Sequence, residues 1–360
     1  QKVKSSHEQS DRFSANRYTS WVKNAMASPT VNTLFPGGIK TEPCLTTSVQ
    51  LIICGQKYRC QMKILITGGT GFIGTAITRD LLEKGHNVVA TGTFLRTDIV
   101  THDRFRFIQA NTAREGPWQA ELEDVDGVIN LAGRNIMGRW TKRYKKEIYD
   151  SRILTTSNVV DALAVHRDTF LCSASAVGYY GDRGDDILTE SEPPGKNYLA
   201  QVGQDWEEEA LRAEEHGIRT VVMRFGIVLG KGGGALEKMI PAFRMFAGGP
   251  LGNGRQWFPW IHLQDVVSAC LFVIGNEHLK GTFKFCSPNP DRNRELAKTL
   301  GRVLGVPAVM PTPKLMLRLA LGEAATALFD SLRVVPENLL NSGFNFKYPE
   351  LEDAIRQIIQ

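Results

Sequence analysis

The chain predicts an α/β fold, a doubly wound parallel sheet followed by a smaller lobe, and three observations carry that prediction. The run Lys63-Ile64-Leu65-Ile66-Thr67 is apolar enough for a strand buried on both faces, and it leads into Gly68, Gly71 and Gly74 at i, i+3 and i+6. Strand-like and helix-like periods then alternate to about residue 230, as a parallel sheet with crossover helices requires. With 360 residues the chain can bury one large α/β core or two lobes.

The first strand is Lys63–Thr67, and the glycines behind it have separate physical roles. The first permits a tight turn, the second lets backbone approach a pyrophosphate, and the third lets helix and strand pack closely. Thr75-Ala76-Ile77 opens a helix whose apolar positions Ile77, Leu81 and Leu82 repeat on one face before Gly85. A helix N-terminus presents unpaired N–H groups and a positive dipole end, so this strand–turn–helix unit reads as a dinucleotide site. Residues 87–91 form the second strand, 104–109 the third, and 126–133 a fourth that ends in a glycine turn. A helix over 142–166 carries Tyr144, Ile148, Ile153 and Val160 among its apolar positions. A fifth strand covers 169–173, a helix 198–215 and a sixth strand 220–224. Glycine, proline and aromatics then concentrate, with glycine clusters at 230–234 and 248–254. That shift predicts a nucleotide-binding domain over 62–230, joined by parts of 255–290, and a smaller substrate lobe over 231–360.

The formal charge of +5 is distributed unevenly. Residues 1–61 hold eight Lys/Arg against three Asp/Glu, which leaves 35 of each sign in residues 62–360. The body is neutral, and its charge gives no reason to expect nucleic acid as a partner. The six cysteines (Cys44, Cys54, Cys60, Cys172, Cys270, Cys286) form no CxxC pair and no metal-ligand spacing, so free thiols, a reducing compartment and no metal are expected. No apolar run approaches the roughly 18 residues of a membrane span, so no membrane partner is expected. Residues 1–61 are rich in Ser, Thr, Asn and Gln and lack a sustained hydrophobic period. The preferred reading is upstream sequence joined to a protein that starts at Met62, with the cytoplasm as its compartment. The alternative is a Ser-rich, acid-poor transit peptide addressed to an organelle.

Beyond the fifth strand the chain reads Ser173-Ala174-Ser175-Ala176-Val177-Gly178-Tyr179-Tyr180-Gly181, and Tyr198 lies 23 residues after Ser175. Ligands of open α/β sheets bind beyond the carboxyl ends of the strands, so these hydroxyls are expected at the cleft. With Thr67 and the three glycines, these residues resemble the extended short-chain dehydrogenase/reductase superfamily. That superfamily has TGxxGxxG after its first strand, Ser or Thr after its fifth, and YxxxK on the next helix. A longer series is more specific: Asn130-Leu131-Ala132-Gly133, Arg139-Trp140-Thr141, Asp150-Ser151-Arg152, Gly178-Tyr179-Tyr180-Gly181-Asp182 and Asp205-Trp206-Glu207. It continues through Arg224-Phe225-Gly226-Ile227-Val228-Leu229-Gly230, Gly248-Gly249-Pro250-Leu251-Gly252, Trp260-Ile261-His262, Leu319-Ala320-Leu321-Gly322-Glu323, Val335-Pro336 and Gly343-Phe344. Over about residues 62–360 this series is similar to the YfcH-like branch of that superfamily. The branch is labelled epimerase family protein or nucleoside-diphosphate-sugar epimerase-like, and it ends in a short domain of unknown function.

The resemblance implies a Rossmann-type sheet and a nicotinamide dinucleotide held by Thr67, Gly68, Thr70, Gly71, Phe72, Ile73 and Gly74, with Leu131, Ala132 and Gly133 on the next turn. Asn111 stands where the superfamily has an aspartate contacting adenine. Ser175 would hold a carbonyl oxygen, and Tyr198 or Tyr180 would supply the proton. The substrate would be a small carbonyl or nucleotide-sugar type compound. A homodimer through the helices around 142–166 and 198–215 also follows from the resemblance.

Two departures bear on the chemistry. Val202 stands four residues after Tyr198 where YxxxK has its lysine, and Lys196 faces elsewhere on a helix. The lysine normally holds the nicotinamide ribose and lowers the pKa of the tyrosine; an unassisted phenol titrates near 10. Members of the branch commonly lack this lysine too. After the second strand, Thr91-Gly92-Thr93-Phe94-Leu95-Arg96 brings no acid before Asp98, which with Arg96 favours NADP over NAD.

Further residues carry paired readings. Arg139, Lys142, Arg143, Lys145 and Lys146 are a solvated helix face or an anion clamp. Trp257, Phe258 and Trp260 line a pocket or pack between lobes. His262 and Asp265 are structural or an oriented acid/base pair, and Arg224 meets a ligand anion or a core partner. Two functions stay open: an NADP-dependent oxidoreductase or epimerase, and a cofactor-binding regulatory or scaffold protein with little turnover. A flavin or another nucleotide in the same cleft is the third possibility.

Overall fold

The computed structural model describes residues 61–94, 100–166 and 168–360. In chain order the first half holds β1 (Lys63–Thr67), α1 (Phe72–Glu83), β2 (Asn87–Gly92), β3 (Phe105–Gln109), β4 (Gly127–Asn130), α2 (Lys142–Leu163) and β5 (Phe170–Ala176). A short β6 (Ile187–Leu188), α3 (Tyr198–Leu211), β7 (Arg219–Phe225), β8 (Ile227–Gly230) and α4 (Gly234–Arg244) follow. The chain continues as β9 (Trp257–Phe258), β10 (Trp260–His262), α5 (Leu263–Gly275), β11 (Gly281–Phe285) and β12 (Asp291–Arg292). It ends with α6 (Asn293–Leu304), α7 (Lys314–Leu321), β13 (Arg333–Val334), α8 (Glu337–Asn341) and α9 (Leu351–Ile359).

Seven strands form one parallel sheet in the order β11-β7-β5-β4-β1-β2-β3. From β1 the chain winds outward to β2 and β3, then returns to β4 on the other side, so the order reverses between β1 and β4. That reversal opens a crevice at the carboxyl ends of the strands, the general ligand position of such sheets. Thr67 and Asn130 are register partners at its floor.

Successive residues of β1 serve the two faces. Ile64 and Ile66 pack in a cluster with Ile77 and Leu81 of α1 and Val266 and Cys270 of α5. Leu65 instead joins Val159, Val160 and Leu163 of α2. A strand buried on both faces must be apolar at every position, which is why this one shows no alternation. A third cluster joins Leu229 and Trp260 to α4, α6 and α9 through Leu236, Phe243, Leu296, Leu300 and Ile355. Among the described residues no helix is long and apolar enough to cross a membrane.

Several boundaries differ from the sequence reading for local reasons. β4 stops at Asn130, not at residue 133, because the amides of Leu131 and Ala132 turn onto Thr67 Oγ1, each at 3.1 Å. β5 runs on to Ala176, so Ser175 lies inside the strand. α2 ends at Leu163, short of residue 166. α3 gives way after Leu211 to a 3-10 turn, Arg212–His216, closed by Gly217 in the left-handed region. The seventh strand, β11, comes from the stretch after α5, and residues 61–360 form one compact unit.

Candidate functional site

The turn after β1 is shaped by backbone crowding. Gly68 has φ +67, and a Cβ there would stand 3.1 Å from the Ala132 amide. A Cβ on Gly74 would meet the Gly68 carbonyl oxygen at 2.4 Å and Gly69 Cα at 2.7 Å, so α1 lies against the turn only because residue 74 has no side chain. Gly71 caps α1 without a side chain, donates its own N–H to Gly68 O at 2.9 Å, and no acidic residue sits in the first turn. Thr70, Gly71, Phe72 and Ile73 line a cavity of 1310 Å³. An uncapped helix end facing a cavity, free of carboxylates, fits a pyrophosphate.

Thr67 works from beneath. It is fully buried, donates to Asn130 Oδ1 at 2.6 Å, and accepts the Leu131 and Ala132 amides. Asn130 passes the constraint on, donating to Thr156 Oγ1 at 2.8 Å and Ser173 Oγ at 3.2 Å. Thr67 therefore fixes the turn that carries Leu131, Ala132 and Gly133. At the far end of the crevice Asn111 is exposed, and its Oδ1 accepts the Ala113 amide at 3.2 Å. β2 ends at Gly92, Thr93 and Phe94 follow it without a carboxylate, and Arg96 lies outside the described residues.

The hydroxyls beyond β5 divide. Ser175 is buried and faces α3, donating to Glu207 Oε1 at 2.5 Å. Glu207 and Arg224 form a buried bidentate pair, Nε and Nη2 each 2.7 Å from a carboxylate oxygen. Arg224 Nη1 donates to Tyr180 Oη at 2.7 Å and to Glu190 O at 3.1 Å, and its guanidinium lies 3.7 Å from the Tyr179 ring centre. Tyr180 is fully buried, donates to Thr189 O at 3.1 Å, and burial pushes its phenol well above the usual range. Lys284 of β11 extends this cluster: it is 0% exposed, donates to Leu188 O, and sits 3.6 Å from Glu190 Oε2. Ser175 and Tyr180 are thus joined through Glu207 and Arg224, and Arg224 meets a core partner. The exposed residue at the end of β5 is Ala176, which has no hydroxyl.

Tyr198 stands apart from that network. Its hydroxyl donates to Lys145 O at 2.6 Å, the Lys145 ammonium lies 4.8 Å from its ring centre, and Trp140 packs edge-on at 5.3 Å. Burial raises its pKa, and the Arg152 charge opposes that rise. Ser175, Tyr180 and Tyr198 lie outside the wall of the large cavity, whose lining includes Met239, Leu251, Phe258, Leu317, Leu321 and Leu328.

The remaining readings resolve in the same way. His262 caps α5, accepting the Gln264 amide at 3.1 Å, and its other nitrogen pairs with Gln357 at 2.8 Å; burial lowers its pKa to about 4. Asp265 instead accepts the amides of Lys347 and Tyr348, so the two do not form an acid/base pair. Trp260 is buried on Asp291 and Trp257 is bonded to Asp185, which leaves Phe258 as the cavity aromatic of the three. In the basic run, Arg143 pairs with Glu147, Lys146 with Asp150 and Lys145 with Glu323.

Sequence reasoning missed Glu190 and Lys284 altogether, and it read Asn130, Arg152 and Glu207 only as parts of motifs. A Lys at the buried face of β11 has no local signal, because Thr282 and Lys284 alternate with Phe283 and Phe285 as on a half-exposed strand.

Residues 64–284 match the NAD dependent epimerase/dehydratase family, and residues 312–358 match a domain of unknown function, DUF1731. The chain is 41% identical over 315 residues to the Arabidopsis thaliana "epimerase family protein SDR39U1 homolog, chloroplastic", covering 86% of this chain and 90% of that protein. The crystal structure of human epimerase family protein SDR39U1 with NADPH superposes with a TM-score of 0.73 at 30% identity, covering 82% of this chain and 99% of that one. UDP-glucuronic acid 4-epimerase from Bacillus cereus, solved with UDP-glucuronic acid and NAD, shares the fold at a TM-score of 0.69 and 18% identity, covering 82% and 98%.

Proposed function

The chain belongs to the NAD dependent epimerase/dehydratase family, and from that premise we propose that it binds NADP(H) and acts as an oxidoreductase or epimerase on a small carbonyl compound with an apolar body. The observation that carries this is the uncapped N-terminus of α1 facing a 1310 Å³ cavity beside a strand β2 that ends without a carboxylate. The NADPH in the human relative supports the choice of cofactor. Of the two substrate types the sequence leaves open, the Met, Leu and Phe side chains in the cavity lining support a carbonyl compound with an apolar body over a nucleotide sugar.

NADP(H), when bound, supplies or takes up a hydride. The backbone of Gly68, Thr70, Gly71, Phe72, Ile73 and Gly74 holds its pyrophosphate, and Thr67 keeps Leu131–Gly133 in place for the ribose. Asn111 and Arg96 serve the adenosine end. Of the three hydroxyls, we assign proton transfer to Tyr198: its side chain is half-buried, whereas Tyr180 and Ser175 are buried, and its hydroxyl must turn from Lys145 O to meet a substrate. Ser175 and Tyr180 are assigned to holding Glu207 and Arg224. The division into 62–230 and 231–360 is part of this proposal, with β11 as the strand the second part returns to the first.

The test is calorimetric titration of the full chain with NADPH and, separately, NADH. Micromolar binding of NADPH and weaker binding of NADH is the expected result; binding of neither removes the oxidoreductase reading. A second reading, a cofactor-dependent regulatory protein with little turnover, is favoured by Val202 and by the hydroxyl-free Ala176. NADPH binding without carbonyl reduction across a substrate screen would select it.

The partners proposed are a small-molecule substrate and a second copy of the chain across the outer faces of α2 and α3, with no nucleic acid. Light scattering on the purified chain tests the dimer. The cytoplasm remains the proposed compartment, and the chloroplastic name of the Arabidopsis relative supports an organelle as the alternative.

A further inference from the structure

Where YxxxK would place a lysine, Val202 is buried and apolar. One turn further along the same face of α3 is Trp206, and a cation from the neighbouring helix lies over it. The Arg152 guanidinium of α2 stands 5.1 Å from the Trp206 ring centre. Both residues are locked through one hydroxyl, since Trp206 Nε1 donates to Thr156 Oγ1 at 2.9 Å and Thr156 Oγ1 donates to Arg152 O at 2.8 Å.

The same guanidinium reaches the loop after β4. Arg152 Nη1 donates to Arg134 O and Ile148 O, each at 3.0 Å. A Cβ on Gly133 would stand 3.2 Å from Arg152 Cζ, so the glycine leaves the cation directly against that loop. Ser151 Oγ, the neighbour on α2, accepts the Arg134 amide at 2.9 Å and holds the loop from the other side. Among the described residues no carboxylate pairs with Arg152, and its hydrogen bonds to protein, to Arg134 O and Ile148 O, both run through Nη1. A planar fork with free donors suits vicinal hydroxyls as well as anions.

We propose that Arg152 takes the place of the missing lysine, its free donors holding the nicotinamide ribose at Gly133. This rests on the reading that the crevice binds NADP(H). The charge reaches the active edge from α2 instead of α3, which is why a lysine at position 202 is dispensable. Around Tyr198 the charged and titratable groups are Tyr149, Asp150, Lys145 and Arg152 on α2 and Glu323 beyond α7. Lys145 is neutralised by Glu323, whereas Arg152 keeps its charge: burial lowers its pKa only to about 10.

The experiment is calorimetric NADPH titration of the full chain carrying Arg152→Met, Arg152→Lys, or Arg152→Met with Val202→Lys. A spectroscopic titration of the Tyr198 phenol, isolated by subtracting Tyr198→Phe, accompanies it. Arg152→Met should bind NADPH at least roughly tenfold more weakly and move the Tyr198 titration to higher pH. Arg152→Lys should recover part of the affinity, and Val202→Lys should restore it in the Met background. Should Arg152→Met not fold, Arg152→Gln carries the same comparison, because it keeps a polar side chain while the charge is gone. Wild-type NADPH affinity and an unmoved Tyr198 titration in a folded, uncharged variant would overturn the inference and leave the proposed function standing. Failure of the wild-type chain to bind NADPH would instead overturn both.

Discussion

The turn after β1 and the ends of β5, β7 and β11 lie along one edge of the same sheet, yet different forces hold them. At the turn nothing is charged. Gly68 and Gly74 let backbone meet backbone, and Thr67 fastens the next loop with one hydroxyl. At the other end Glu207, Arg224, Glu190 and Lys284 are all taken from water and set in ion pairs, Glu207 with Arg224 and Glu190 with Lys284, with Ser175 and Tyr180 as hydrogen-bonding neighbours. A backbone cradle leaves its N–H groups free for a ligand. A buried ion network spends most of its donors and acceptors on itself, Glu190 Oε2 being the exception, so it shapes this edge more than it offers groups to a ligand.

The contrast breaks most visibly at Arg224. Arg224→Met leaves Glu207 buried and unpaired, and urea unfolding should show a loss of about 3–5 kcal/mol. Adding Glu207→Leu should recover most of it, and a loss below about 1 kcal/mol for Arg224→Met would show the network is not what holds this end. A second measure is acid sensitivity. His262 has a lowered pKa of about 4 in the folded chain against about 6.5 when unfolded, so the unfolded state binds the proton first. Its stabilisation is complete above pH 6.5 and is lost as pH falls toward 4, by about 3 kcal/mol. His262→Asn, which keeps a capping side chain, should flatten that stretch of the stability curve; an unchanged curve would assign the acid sensitivity elsewhere.

At the backbone end, Gly74→Ala forces a Cβ into the Gly68 carbonyl and should cost about 1–3 kcal/mol, read as weakened NADPH affinity as well as lowered Tm. Affinity and Tm both at wild-type values would refute the close-packing role of residue 74. The smallest effect belongs to the exposed Arg143–Glu147 pair, where Arg143→Ala should change stability by less than about 0.5 kcal/mol in thermal unfolding. A larger loss would show the basic run to be more than a solvated face.

How much of each region was legible in the sequence follows the same division. Gly68, Gly71 and Gly74 are demanded by geometry within seven residues, so the turn, its strand and its helix could be read directly. The succession of strands through β7, apart from the short β6, could be read from alternation, and the β4 and β5 ends were misplaced by three residues; at β4 a side chain, Thr67, not propensity, terminates the ladder. The ion network was not legible. Its partners are separated by 17 residues (Glu207 and Arg224) and by 94 (Lys284 N and Glu190), and no local period marks such a pairing. Ser175 was found as a residue, but its direction was not, since a strand three residues longer decides which face it takes. Arg152 shows the same limit in another form: a charge missing from one helix arrives from a different one.

Strand β11 pairs with β7 along Val221–Phe225 and shields that strand's outer edge. Synthesis from the N-terminus delivers β7 well before β11, with α4, β8 to β10 and α5 in between. A nascent chain that has emerged only through Gly230 therefore owns a complete dinucleotide turn but carries a naked strand edge beside Arg224, with Lys284 still to come. Such an edge invites pairing with other chains. The sheet closes only once Phe285 is free, which makes this late strand the latch of co-translational folding and the interval before it the time when a chaperone has most to protect.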